Sequence, residues 1–134
     1  MFGSPDELIA AAGLELGATA WTPVEVGDVK AFVSATGTPD AQGTVPPLLV
    51  LSLTNRFLPE LLEVRGATSG VNYGTGRVRF PSTVRPGDRI RVSARLLAAE
   101  EVAGGVQSTV EMTVEVEGSS EPACVVESLS RWMR

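Results

Sequence analysis

The chain has 134 residues, enough for one domain with its own core, and its 43% hydrophobic and 20% charged residues are ordinary for a globular protein. Eleven basic against sixteen acidic residues give a net charge of −5, which argues against nucleic acid as a main partner, because phosphate binding relies on clustered Lys and Arg. One cysteine, Cys124, excludes a disulfide framework, zinc-ligand spacing and a redox pair; no metal and no cofactor is implied, and a reducing cytoplasm is the expected compartment.

The first residues, Met1-Phe2-Gly3-Ser4-Pro5-Asp6-Glu7, carry acid and no base, the wrong charge for a secretory signal. Ser4 can cap a helix, Pro5 suits its first position and Glu7 completes a capping box, so a short helix is expected to end near Gly13. Leu16 to Trp21 reads as a first strand or connector. Asp28 can cap a second helix, in which Val29, Phe32, Val33 and Thr36 recur at helical spacing and Gly37 supplies the stop. Thr38 to Pro47 is a loop by its turn residues.

Leu48 to Leu62 is the most apolar helical segment. Leu49, Leu53 and Phe57 form one stripe and Leu51, Leu58 and Leu62 a second, so other structure is expected to surround it. Arg56 and Glu60 can pair at i,i+4. Pro59 should kink the helix or begin a separate turn. The apolar run from Val45 to Leu53 is broken by two prolines and a serine and is too short to span a bilayer, so no membrane partner is expected.

After Gly66 the period changes from helical to two. Val106, Ser108, Val110, Met112, Val114 and Val116 alternate with polar residues, and Ile90, Val92, Ala94, Leu96 and Ala98 do the same on a preceding strand. Keeping both apolar sets on one side fixes the parity of the pairing. A three-residue Ala103-Gly104-Gly105 loop pairing Val102 with Val106 satisfies it, with Arg91 opposite Glu117 and Arg95 diagonal to Glu111 and Glu115. Val71 to Phe80 and Ala123 to Met133 supply further strands. The periodicities alone give an antiparallel α+β domain.

Gly70-Val71-Asn72-Tyr73-Gly74, then Arg77-Val78-Arg79-Phe80-Pro81 and Pro86-Gly87-Asp88, stand in an order and spacing that resembles the MaoC-like hydratases and dehydratases, in the branch related to nodulation protein N. Phe32 through Ala35-Thr36-Gly37 and the ending Pro122-Ala123-Cys124-Val125 with Ser130-Arg131 extend the resemblance over most of the chain. It implies a single hotdog domain over residues 1–134, an antiparallel sheet wrapped around a central helix. It also implies an acyl-thioester substrate, an Asp/His catalytic pair and pairing into a homodimer or a heterodimer with a related hotdog protein.

Two departures bear on the chemistry. The chain contains no histidine, the side chain whose ordinary pKa lies closest to neutrality. Thr38 stands where the resemblance places the catalytic Asp, and most of the segment covering the acyl pocket is missing. The family's oxyanion donor is a backbone N–H at the start of the central helix, where this chain reads Val45-Pro46-Pro47-Leu48. Proline has no N–H, so the next free donor is at Leu48.

The remaining candidates each have a plain alternative. Asp40, the one carboxylate of the shortened loop, is either a proton carrier raised by an apolar pocket or a Pro-Asp turn residue. Asn55 falls on an otherwise apolar stripe, where it either lines a cavity or makes a structural hydrogen bond. Asn72 and Tyr73 either face a ligand or pack, and Thr38 and Gln42 complete the set of substrate-binding candidates. Arg77 and Arg79 either meet a carrier's phosphates, as the resemblance implies, or stay solvated. Arg89, Arg91 and Arg95 read as a solvated sheet face, Trp21 and Trp132 as packing or dimer-contact residues, and Cys124 as no nucleophile.

Three functions fit. One is a diverged enzyme that holds a bulky acyl or polyketide-like chain and promotes cyclisation, conjugate addition or dehydration. Another is a non-catalytic subunit paired with a dyad-bearing hydratase. The third is an acyl- or lipid-binding module. A standard enoyl-thioester hydratase is not expected.

Overall fold

In a computed structural model, residues 1–39 and 43–134 are described. Their elements run α1 (Glu7–Ala10), β1 (Glu15–Ala18), β2 (Thr22–Pro23), α2 (Val26–Thr36), α3 (Pro47–Leu61), β3 (Ser69–Arg79), β4 (Arg89–Val102), β5 (Gly105–Val116) and β6 (Cys124–Met133). The strands form one antiparallel sheet in the order β1-β4-β5-β6-β3, with β2 also against β4. Helix α3 packs on it, contacting β1, β4, β5 and β6. This is the hotdog arrangement.

The core follows the two periods. Leu49, Val50, Leu53 and Phe57 are buried on one side of α3, against Ile90, Val92, Leu96, Val110, Met112, Val114 and Val126 from the inward phase of the sheet. Burial is narrower than the composition of α3 suggests: Leu48 is 60% exposed, and Leu51, Leu58 and Leu61 are half-buried. The helix runs through Pro59 to Leu61 without starting a new turn.

Local corrections concern helix starts and the hairpin. Helix α1 is short, and Glu7 accepts the Gly3 N–H at 2.9 Å instead of closing a box with Ser4. Helix α2 opens at Val26, two residues before the expected cap, and ends on Gly37 at φ 67° as expected. Asp28 lies inside its first turn and pairs with Arg56 of α3 at 3.6 Å, where Glu60 was the expected partner. The β4–β5 turn has two residues, Ala103-Gly104, pairing Val102 with Gly105. A bulge between Leu96 and Ala98 shifts the register by one, so Ile90 to Leu96 still face Val116 to Val110 on the core side. Arg91 consequently lies opposite Glu115, Arg89 meets Glu117 at 3.2 Å, and Arg95 lies opposite Glu111 while pairing with Glu15 at 3.5 Å.

Candidate functional site

Among the described residues strand β3 pairs only with β6, and ten of its eleven residues are exposed. It extends the sheet past the covered side of α3, leaving space between helix and strand. Two recesses occupy it, about 440 Å³ and 190 Å³, and Asn55 of α3 and Asn72 of β3 line both. The Asn72 side-chain N–H donates to the Asn55 side-chain oxygen at 2.8 Å. The polar pair therefore stands where the recesses meet. Asn55's own NH₂ and the Asn72 side-chain oxygen keep no partner among the described residues. Pro59, on the wall of the larger recess, has no N–H to give the Asn55 backbone carbonyl four residues earlier.

Strand β6 supplies the floor. Alternation turns Cys124, Val126, Ser128, Ser130 and Trp132 toward α3, and Glu127 and Arg131 away. Ser130 lies across from Asn72 and lines the larger recess; Ser128 lies across from Thr75 and lines the smaller. Leu58, Leu62, Val64 and Trp132 make the larger recess mostly apolar. Gly70 lets the Trp132 indole lie close, since a Cβ there would sit 2.8 Å from the ring. Ser128 and Ser130 were not among the expected site residues. Their signal is in the sequence, as two hydroxyls in the inward phase of a strand that otherwise presents apolar side chains there.

The other expected residues lie elsewhere. Tyr73 is 55% exposed and lies under the Arg131 guanidinium at 3.7 Å, and Arg131 in turn donates to Gln107 on the sheet's outer face. A register shift between Asn72 and Gly74 accompanies this outward turn. Thr38 sits at the end of α2 with its hydroxyl 2.6 Å from that of Thr36 and lines neither recess. Asp40 and Gln42 lie outside the described residues. At the start of α3, Pro46 caps and Pro47 opens the helix, so the Leu48 N–H is the first one free, with no acceptor among the described residues.

Arg77 and Arg79 border a small outer recess of about 160 Å³ with Glu111 and Glu127 and form no ion pair among the described residues. The Trp21 ring stacks on Arg91 at 4.7 Å, and the Trp132 indole N–H donates to Ser108 at 2.9 Å, so both tryptophans pack. Cys124 is buried, which pushes its thiol up to about 11 and leaves it protonated at neutral pH. No cluster of metal-ligating side chains occurs among the described residues, and no described helix is long and apolar enough to cross a membrane.

No family profile matches the chain. Known proteins do. It is 36% identical over 147 aligned positions to 3-hydroxyacyl-thioester dehydratase Z of Mycobacterium tuberculosis, covering 98% of this chain and 97% of that one. An alignment of 147 positions against 134 residues leaves at least thirteen positions of that relative unmatched here. Nodulation protein N of Rhizobium leguminosarum bv. viciae is 32% identical over 130 positions, covering 83% and 80%. Among solved structures, a MaoC-like dehydratase from Rhodospirillum rubrum superposes with a TM-score of 0.70 at 20% identity, covering 92% of this chain and 93% of that one, which shows the shared fold.

Proposed function

We propose that this chain, which belongs to the MaoC-like hydratase/dehydratase family of hotdog proteins, is a diverged member. In this reading it binds a bulky acyl or polyketide-like thioester between α3 and β3 and promotes cyclisation, conjugate addition or dehydration. The observation that carries the reading is the Asn55–Asn72 bond at the junction of two recesses, in a chain with no histidine. A mostly apolar trough with convergent amide groups suits a long chain whose reacting carbonyl or hydroxyl must be oriented. The at least thirteen positions present in the dehydratase relative and missing here support an opened pocket, on the view that they fall in the loop after α2.

Without imidazole, proton movement falls to Asp40, the carboxylate of the shortened loop, with Thr38 and Gln42 beside it in sequence. Loss of the oxyanion donor at the proline positions would cost about 2.7–4 kcal/mol of transition-state stabilisation, unless the Leu48 N–H takes over. Orientation can offset this: holding a near-attack conformer contributes up to roughly 7–11 kcal/mol without a strong acid or base. Asn55 and Asn72 are the groups we assign to that task. Replacing Asp40 with Asn in an assay on an activated acyl thioester tests the proton role. A fall in turnover of at least a hundredfold at unchanged affinity supports it, and unchanged turnover removes it.

The exposed β3 favours a second reading. Its outer edge offers a row of unpaired backbone N–H and C=O groups to another strand. A dyad-bearing hotdog protein seated there would make this chain a non-catalytic subunit that shapes the partner's acyl site. Aggregation of the chain alone, relieved by co-expression with such a paralogue, would select this reading.

A further inference from the structure

We propose that Ser128 and Ser130 are ligand-binding residues that read oxygen atoms carried along the acyl chain itself. The substrate is then an acyl thioester with hydroxyl or carbonyl groups remote from the thioester, rather than a plain alkyl chain. This rests on the acyl-thioester reading above. Both serines are more than nine-tenths buried, at 7% and 6% exposure. Neither hydroxyl has a hydrogen-bond partner among the described residues, and each faces one of the recesses. No fully buried side-chain oxygen among the described residues lacks a partner, so both hydroxyls reach the open space of the recesses. A saturated chain covering them would strip their water and offer no partner, which is unfavourable, and alanine would fit the inward phase of β6 without that cost.

Ser108 sharpens the contrast. It lies across from Ser130 on β5, is fully buried, and accepts the Trp132 indole N–H at 2.9 Å. The sheet therefore satisfies one inward serine and leaves the next two open toward the space under α3. Ser128 and Ser130 are two residues apart on one strand, so their side chains stand about 6–7 Å apart along it. The Asn55–Asn72 pair lies where their recesses join. A chain passing that pair meets Ser130 on one side and Ser128 on the other, with Leu58 and Trp132 lining the larger recess and Leu51 and Val126 the smaller. Oxygens set at intervals along a hydrocarbon fit those walls; a saturated chain leaves both hydroxyls unpaired.

The test is calorimetric titration of the purified full chain with N-acetylcysteamine thioesters of decanoate, 5-hydroxydecanoate and 7-hydroxydecanoate. The wild-type chain is expected to bind at least one hydroxylated probe about threefold to tenfold more tightly than the decanoyl probe, the net effect of one hydrogen bond. The S128A/S130A variant, with its melting temperature checked, should lose that preference and bind the decanoyl probe as tightly or more tightly. Equal binding of all three by the wild type overturns the inference while leaving the acyl reading standing. Equal weakening of all three in the variant, which marks a structural role, does the same. Failure of every probe to bind overturns the acyl reading and the inference with it.

Discussion

Asn72, on the sheet's edge strand, gives its side-chain N–H to Asn55 on the central helix across 2.8 Å, and among the described residues this bond is the one side-chain hydrogen bond between the two walls of the trough. Because both residues are exposed, the bond adds little to stability, within about 1.5 kcal/mol. Asn55→Leu completes the Leu51/Leu58/Leu62 stripe and should leave the melting temperature unchanged or raised. Acyl-thioester affinity should fall about tenfold, equivalent to about 1.4 kcal/mol. Paired thermal melts and ligand titrations check this; a large loss of stability with unchanged affinity would make the pair structural.

Gly70 controls the larger recess through Trp132. A Cβ at residue 70 would sit 2.8 Å from the indole, so Gly70→Ala must push the ring aside and strain its bond to Ser108. Near-ultraviolet circular dichroism and tryptophan emission should change while the far-ultraviolet spectrum stays the same. An unaltered tryptophan signal would mean that the ring is not held as described.

The core makes a sharper stability prediction. Phe57 is 4% exposed and Leu48, on the same helix, 60%. Phe57→Ala should cost about 3–5 kcal/mol in denaturant unfolding, whereas Leu48→Ala should stay within about 0.5 kcal/mol. Comparable effects at the two positions would place α3 differently against the sheet.

Cys124 gives a pH signature. Burial raises its thiol from 9.0 to about 11, so the unfolded chain ionises there first. The contribution is fully present below pH 9 and is lost as pH rises to 11; a gap of that size corresponds to roughly 2–3 kcal/mol. Between pH 8 and pH 11 the wild-type chain should lose about that much more stability than Cys124→Ala. At pH 8 the native thiol should resist iodoacetamide until denaturant is added.

Much of the fold was legible in residue periodicity. The inward phases of β5 and of β4 as far as Leu96, the Leu49/Leu53/Phe57 stripe of α3 and the stop at Gly37 lie where alternation and spacing put them, whereas Ala98, past the bulge, is exposed and Leu51 and Leu58 of the second stripe are only half-buried. The bulge at Leu97 was not legible, because a two-residue turn with a bulge and a three-residue turn without one satisfy the same parity on the core side. Asp28 looked like a cap and is instead the partner of Arg56, a tertiary contact that local pattern cannot see. The site was half legible. Asn55 stood out as an amide on an apolar stripe, and the structure joins it to Asn72. Tyr73 took the opposite face of β3 beside a bulge, which no motif announces. Ser128 and Ser130 passed as ordinary strand residues until alternation and the neighbouring recesses showed where their hydroxyls point.

The most direct measurement is hydration of a crotonyl thioester by the purified chain alone, followed by loss of enoyl absorbance. With no imidazole in the chain and prolines at the head of α3, we expect no acceleration over buffer, while longer acyl thioesters still bind. Turnover in the ordinary enzymatic range of about 1–10³ s⁻¹ would contradict the account, because a cleft without histidine would then move protons as readily as one with it.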